Sequence, residues 1–365
     1  MSPLVVFWYI ALAVLWTGFM VLEGYDFGVG MLHGVVGRDE RGRGTTMATI
    51  GPLWDGNEVW LVVAAAGTFA AFPVWYATMF SAFYPLVVLL LVGLIVRGVS
   101  FEFRSRQDSA RVRMLFDWLL VAGSLLTPFL VGMMLGDLLH GVPINSGQEF
   151  VGGFGDLVNG YALFTGATFV VLSLLHGASF LALRATGDLR DRSTRIARVI
   201  SPAAIAVVFS YVIWTHVTAG RGYLPSVLEI AAMLAVIGAA WLVAEGWDGP
   251  AFMATGFTMA AVVGSLFVDL YPRVMVSTLS GAPDLTVRTT SSATYSLTVM
   301  TVIALVLLPM VIAYQAWSFH VFRRRLGRAG AGARAASGDG GGDGARAARE
   351  PVPAAGRSDN RKETR

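Results

Sequence analysis

The stretch "IGPLWDGNEVWLVVAAAGTFAAF", residues 50–72, opens on two carboxylates, Asp55 and Glu58, and then runs on without a single charge. Such a segment is built for lipid, with its acids at the mouth. A bilayer hydrocarbon core roughly 30 Å thick needs about 20 apolar residues of helix to cross it. On that basis the sequence predicts nine spans, at approximately 4–23, 50–71, 75–98, 115–139, 157–183, 196–218, 226–245, 250–270 and 296–321. The fold class is therefore an all-α polytopic membrane protein with nine transmembrane helices.

Composition agrees. Of 365 residues, 55% are hydrophobic and only 14% are charged, with mean hydropathy +0.63, whereas a soluble chain is about a quarter charged. The chain has no cysteine, which excludes disulfides, thiolate metal sites and thioether heme attachment. The net charge of +3 is almost all arginine, since Lys362 is the sole lysine. These arginines lie at segment ends and in the tail, with no patch interleaved with aromatics, so nucleic acid is not an expected partner. The first segment lacks a basic n-region and a small-residue cleavage site, and is read as a span rather than a signal peptide.

Arginine placement sets the orientation. The first loop carries Arg38, Arg41 and Arg43, the third Arg104, Arg106, Arg111 and Arg113, and the fifth Arg184, Arg190, Arg192 and Arg195. The second and fourth carry none, the sixth only Arg221, and the eighth Arg273 and Arg288. The N-terminus is expected outside and the C-terminus in the cytoplasm. Two regions follow, a transmembrane domain over 1–326 and an Ala/Gly/Arg-rich tail over 327–365, too poor in large apolar residues to fold. "EGYDFG" (23–28) and "EGWDGP" (245–250) echo one another at expected span ends, which suits a repeated bundle.

Charges close to spans mark candidate chemistry, because a buried carboxylate is costly unless hidden or used. Asp55 and Glu58, three apart, share a helix face. Three readings are open for them: a capping box with Asp55 at the N-cap, a buried proton site, or ion pairs with the first-loop arginines. Glu23 and Asp26 sit in "LEGYDFGVGML", where they either face water at the interface or take part in function. The three glycines there suit a tight turn or a close helix approach. Arg97, in "LLLVGLIVRGVSFEFRSR", either snorkels to the surface or meets a buried anion, for which Asp55 and Glu102 are the candidates; Glu102 can also pair with Arg106. The five histidines are scattered, and no spacing suits a metal or heme pair.

Four stretches together resemble subunit II of the cytochrome bd-type quinol oxidases: "GYDFGVGML" (24–32), "PLWDGNEVWL" (52–61), "RGVSFEFRSR" (97–106) and "TTSSATYSLTVMT" (289–301). The resemblance implies two four-helix bundles plus one peripheral helix, in an inner-membrane heterodimer. In that complex a larger subunit I holds two b-type hemes and one heme d and oxidises quinol, while O2 is reduced to water. It implies no heme ligand in this chain, and leaves room for a small single-helix subunit, membrane lipid and a structural quinone. By motif, the resemblance puts Asp55, Glu102, Asp26 and Glu58 on an expected cytoplasmic proton path, with Arg97, Trp54 and Asn57 as structural or charge partners. Two competing readings are a proton-coupled secondary transporter and a scaffold that only stabilises its partner.

Overall fold

The computed structural model describes residues 2–220 and 225–327, and its elements are helices almost throughout. They run α1 (Pro3–Val36), α2 (Glu40–Ile50), α3 (Trp54–Ala71), α4 (Pro73–Ala82), α5 (Tyr84–Phe103), α6 (Ala110–His140), α7 (Gly160–Arg184), α8 (Asp188–Ala219), α9 (Val227–Glu245) and α10 (Asp248–Leu270). A short antiparallel ribbon, β1 (Arg273–Met275) with β2 (Leu285–Thr286), leads through α11 (Val287–Thr290) to α12 (Thr294–Val321). The tail expected to be disordered lies, from residue 328, outside the described residues, as does Arg221.

Among the described residues, eight helices are long and apolar enough to cross a membrane: α1, α5 with the turn that follows it, α6, α7, α8, α9, α10 and α12. The remaining expected span, 50–71, is occupied by α3, whose first turns carry Asp55, Asn57 and Glu58. The expected span at 75–98 is in fact two helices, α4 and α5, broken at Phe83. Pro85 stands in the first turn of α5, where its missing N–H costs nothing.

α1 departs most from expectation. It does not stop at Glu23 but continues unbroken to Val36, 34 residues in all. Hydropathy falls at Glu23, yet the helix persists because the rest of the bundle buries both carboxylates of its second half. "EGYDFG" therefore lies inside a helix, while "EGWDGP" breaks the chain between α9 and α10, with Gly246 in the left-handed conformation. The echo does not extend to structure. The glycines serve close approach: a Cβ on Gly28 would sit 1.9 Å from the Ser173 carbonyl oxygen, and one on Gly177 2.4 Å from the Gly28 carbonyl carbon. Small residues here let two membrane helices touch backbone to backbone.

α1 lies at the centre, packed on α3, α6, α7 and α10. α5 packs on α6, while α7, α8, α9 and α10 pack on one another. α12 stands at the edge against α1 and α3, most of its side chains exposed. The "TTSSATYSLTVMT" segment ties it down, since Ser292 donates from its N–H to Ala71 O (2.9 Å) and from its hydroxyl to Ala70 O (2.7 Å). Those are carbonyls the end of α3 would otherwise leave unpaired.

Candidate functional site

The buried second half of α1, the start of α3 and the last turns of α5 enclose a charged cluster. Arg97 of α5 is fully buried and hydrogen-bonds Glu23 of α1, itself fully buried. Glu58 Oε2 of α3 stands 3.9 Å from the same guanidinium nitrogen, with about a quarter (27%) of its side chain exposed. Aromatic faces complete the sleeve: the guanidinium lies 4.9 Å from the Phe27 ring centre, 5.4 Å from Phe101 and 5.9 Å from Trp54. Trp54 and Phe101 stack at 5.2 Å. A cation held among rings and away from water gains from each quadrupole.

Asp26, also fully buried, is the second inner acid. Its Oδ2 accepts from Asn57 Nδ2 at 2.7 Å, and the same amide lies 2.6 Å from the Tyr25 hydroxyl and 3.2 Å from Leu22 O. Gln315 of α12 donates to Asn57 Oδ1 at 2.7 Å. No donor reaches Glu23 Oε2 or Asp26 Oδ1 among the described residues, and the two carboxyls lie within hydrogen-bonding reach of one another once one of them is protonated. Two fully buried acids thus face one buried guanidinium.

The other expected residues lie elsewhere. Asp55 is exposed and has no ion pair among the described residues. The capping box does not form: α3 starts at Trp54, Leu53 occupies the N-cap, and no side chain caps it. Of the first-loop arginines, Arg43 pairs with Asp117 instead. Arg97 does not snorkel, and its partner is neither Asp55 nor Glu102. Five residues separate Arg97 from Glu102, which places them about 140° apart around the helix, so one faces the core when the other faces out. Glu102 is exposed, with only Arg106 nearby at 3.9 Å.

Sequence reasoning left Glu23 undecided between water and function, and missed Gln315. Glu23 and Asp26 are one helical turn apart, and an unbroken apolar periodicity through "EGYDFG" would have shown them inside a helix. A lone amide in the apolar run of α12 is the signal for Gln315. A second network was also missed. Asp117 of α6 takes His33 Nε2 at 2.9 Å, Arg43 Nη1 at 2.8 Å and the Arg104 guanidinium, which reaches on to Glu40 at 2.9 and 3.1 Å. It ties α1, α2, α5 and α6 together at the arginine-rich end.

His176, the histidine deepest in a span, has both ring nitrogens engaged: Nδ1 with Thr255 Oγ1 (2.7 Å) and Nε2 with Val21 O (3.1 Å). The carbonyl can only accept, so Nε2 carries the hydrogen, and neither nitrogen is free for heme iron. Among the described residues no group of three or more His, Asp or Glu side chains is arranged to hold a metal ion.

Fold and site together define a multi-pass membrane protein with an ion pair and a second carboxyl sealed inside its helices. The chain matches the family model for cytochrome bd terminal oxidase subunit II over residues 4–322. It is 41% identical over 323 residues to the cytochrome bd ubiquinol oxidase subunit 2 of Bacillus subtilis, covering 87% of this chain and 96% of that one. It is 30% identical to the cytochrome bd-I ubiquinol oxidase subunit 2 of Escherichia coli (strain K12), covering 86% and 92%. Its fold is similar to a chain of the bd oxidase from Geobacillus thermodenitrificans, with a TM-score of 0.63 and 18% identity over 88% of this chain and 99% of that one. The chain belongs to the cytochrome bd terminal oxidase subunit II family, and so is part of a quinol-oxidising oxidoreductase complex.

Proposed function

We propose that this chain is the heme-free second subunit of a complex that oxidises quinol and reduces O2 to water, and that it supplies part of the cytoplasmic proton path. The hemes, two b and one d, belong to a subunit I partner in this reading and supply the electron transfer to oxygen. The chain crosses the inner membrane nine times, α3 being the ninth span, with its N-terminus outside and its arginine-rich end in the cytoplasm. The packing of α7 to α10 on one another, of α1 on α3 and α6 and of α5 on α6, and the edge position of α12 support two four-helix bundles plus one peripheral helix. A small single-helix subunit, lipid and a structural quinone fit the exposed apolar helix faces.

The observation that carries the proton role is the pair of fully buried acids, Glu23 and Asp26, facing the one guanidinium of Arg97. With both ionised the sealed cluster would hold an excess negative charge, which a low-dielectric interior resists. One carboxyl therefore holds a proton, and Arg97 holds the remaining charge. Glu58, half-buried beside Arg97, and Asp55, exposed but near enough to Glu58 to interact with it, form the way in from the arginine-rich surface. Trp54 and Asn57 shape the site, one through its ring and the other through its amide. Glu102 lies at the same end on the exposed face of α5, as a surface acid of the path.

A transporter would need broken helices at mid-membrane, and the helix carrying both buried acids is continuous. A pure scaffold would have no use for two fully buried carboxyls sharing one guanidinium in its interior. The test is to purify the tagged chain from its own membranes and record the absorption of what accompanies it. A heme d band in stoichiometric amount is the expected result, and a colourless single chain rejects the reading.

A further inference from the structure

α12 is 28 residues long and largely exposed, yet it hydrogen-bonds into the buried cluster through Gln315, while its Phe319 ring meets Tyr25 edge-on. At its first turns it is held by Trp8, whose Nε1 lies 3.2 Å from Leu297 O and 3.0 Å from Thr301 Oγ1. Near its other end the link is Gln315, half-buried, donating to Asn57 Oδ1. An amide facing the interior of an apolar helix is costly unless hydrogen-bonded, so this residue type needs a reason.

The directions of these bonds supply one. Leu22 O and an ionised Asp26 Oδ2 can only accept, so the Asn57 nitrogen must face α1. Its oxygen then faces α12 and needs a donor, which the Gln315 NH2 provides. Turned over, Gln315 would set oxygen against oxygen. With the amide so held, an N–H occupies Asp26 Oδ2 and no proton fits between them. Asp26 Oδ1, buried and reached by no donor among the described residues, is left on the side free to hold a proton. Were Asn57 to flip, its oxygen would face Oδ2 and trap a proton there.

We infer that Gln315 is a positioning residue for the proton path: it locks the Asn57 amide onto Asp26 Oδ2, so that Asp26 Oδ1 is the oxygen that takes up and releases the proton. The inference rests on the proton-path reading above.

The whole complex, bearing Gln315→Met (equal length, no donor), Asn57→Leu or both, tests it. Gln315→Met should keep its hemes and lose about three- to tenfold in oxygen consumption, the scale of one hydrogen bond. In the Asn57→Leu background it should cost nothing further, because it acts through Asn57. The infrared C=O band that disappears in Asp26→Asn should shift in Gln315→Met, a change that altered helix packing remote from the carboxyl would not produce. Should Asn57→Leu fail to assemble, the band decides alone. Full turnover with an unmoved band, or an equal loss in both backgrounds, overturns the inference. Full turnover in Asn57→Leu itself would instead sink the proton-path reading on which it stands.

Discussion

Arg97 of α5 and Glu23 of α1, 74 residues apart in sequence, meet as a fully buried ion pair inside the helix bundle. Each is the reason the other can be there. A buried charge without its partner keeps its desolvation cost and gains nothing in return.

Removing one partner should therefore be worse than removing both. Arg97→Leu or Glu23→Gln alone is expected to destabilise the chain by about 3–5 kcal/mol or to block assembly. The double substitution should recover heme-loaded complex in membranes, measured by absorption against total chain. Equal yields from the single and double variants would contradict the pairing.

Gly28→Ala and Gly177→Ala should each lower thermal stability, because no space for a methyl exists between α1 and α7. Overpacking of this kind costs about 1–3 kcal/mol, and light-scattering melts of the detergent-solubilised complex would read it. Gly34→Ala, where nothing lies within 4 Å of the added carbon, is the neutral control.

The two ion networks of the arginine-rich end should differ sharply. Asp117 gathers His33, Arg43 and Arg104 and is 7% exposed, so Asp117→Ala strands two guanidiniums and a ring nitrogen. A loss of about 3–5 kcal/mol is expected for a buried network. Arg325 reaches Asp248 at 3.1 Å with 46% of its side chain exposed, and Arg190 also holds that carboxylate at 2.7 Å. Arg325→Ala should cost no more than about 1 kcal/mol. Denaturation midpoints of the two variants compare them directly.

How much of this was legible beforehand follows from what hydropathy can see. Spans such as α7 and α9 were placed to within a few residues, because apolar runs end where charges begin. That same rule failed at Glu23, since it treats every carboxylate as a surface group, and α1 ran on past it. Helical angle put Asp55 and Glu58 on one face but gave no sign that Arg97 would turn to Glu23, because partner choice across helices is decided by packing. Motif resemblance favoured Asp55, yet within this chain Asp55 is exposed and Asp26 is the sealed acid. The Asn57–Gln315 bond joins helices 258 positions apart, and no local pattern carries such a contact.

Glu58 should matter less than the inner acids. It is partly exposed, so water can stand in for its carboxyl. Glu58→Gln is expected to lower oxygen consumption by roughly two- to threefold, measured per heme d in the purified complex. A loss as deep as that of Asp26→Asn would place the essential acid at the mouth rather than inside.

The central claim is that the sealed cluster holds a proton that turns over with oxygen reduction. It is tested most directly by oxygen consumption of the Asp26→Asn complex, normalised to its heme d content. The account predicts parental heme spectra with turnover reduced at least about tenfold, the scale of losing a positioned proton-transfer group. Parental spectra with full turnover would contradict it.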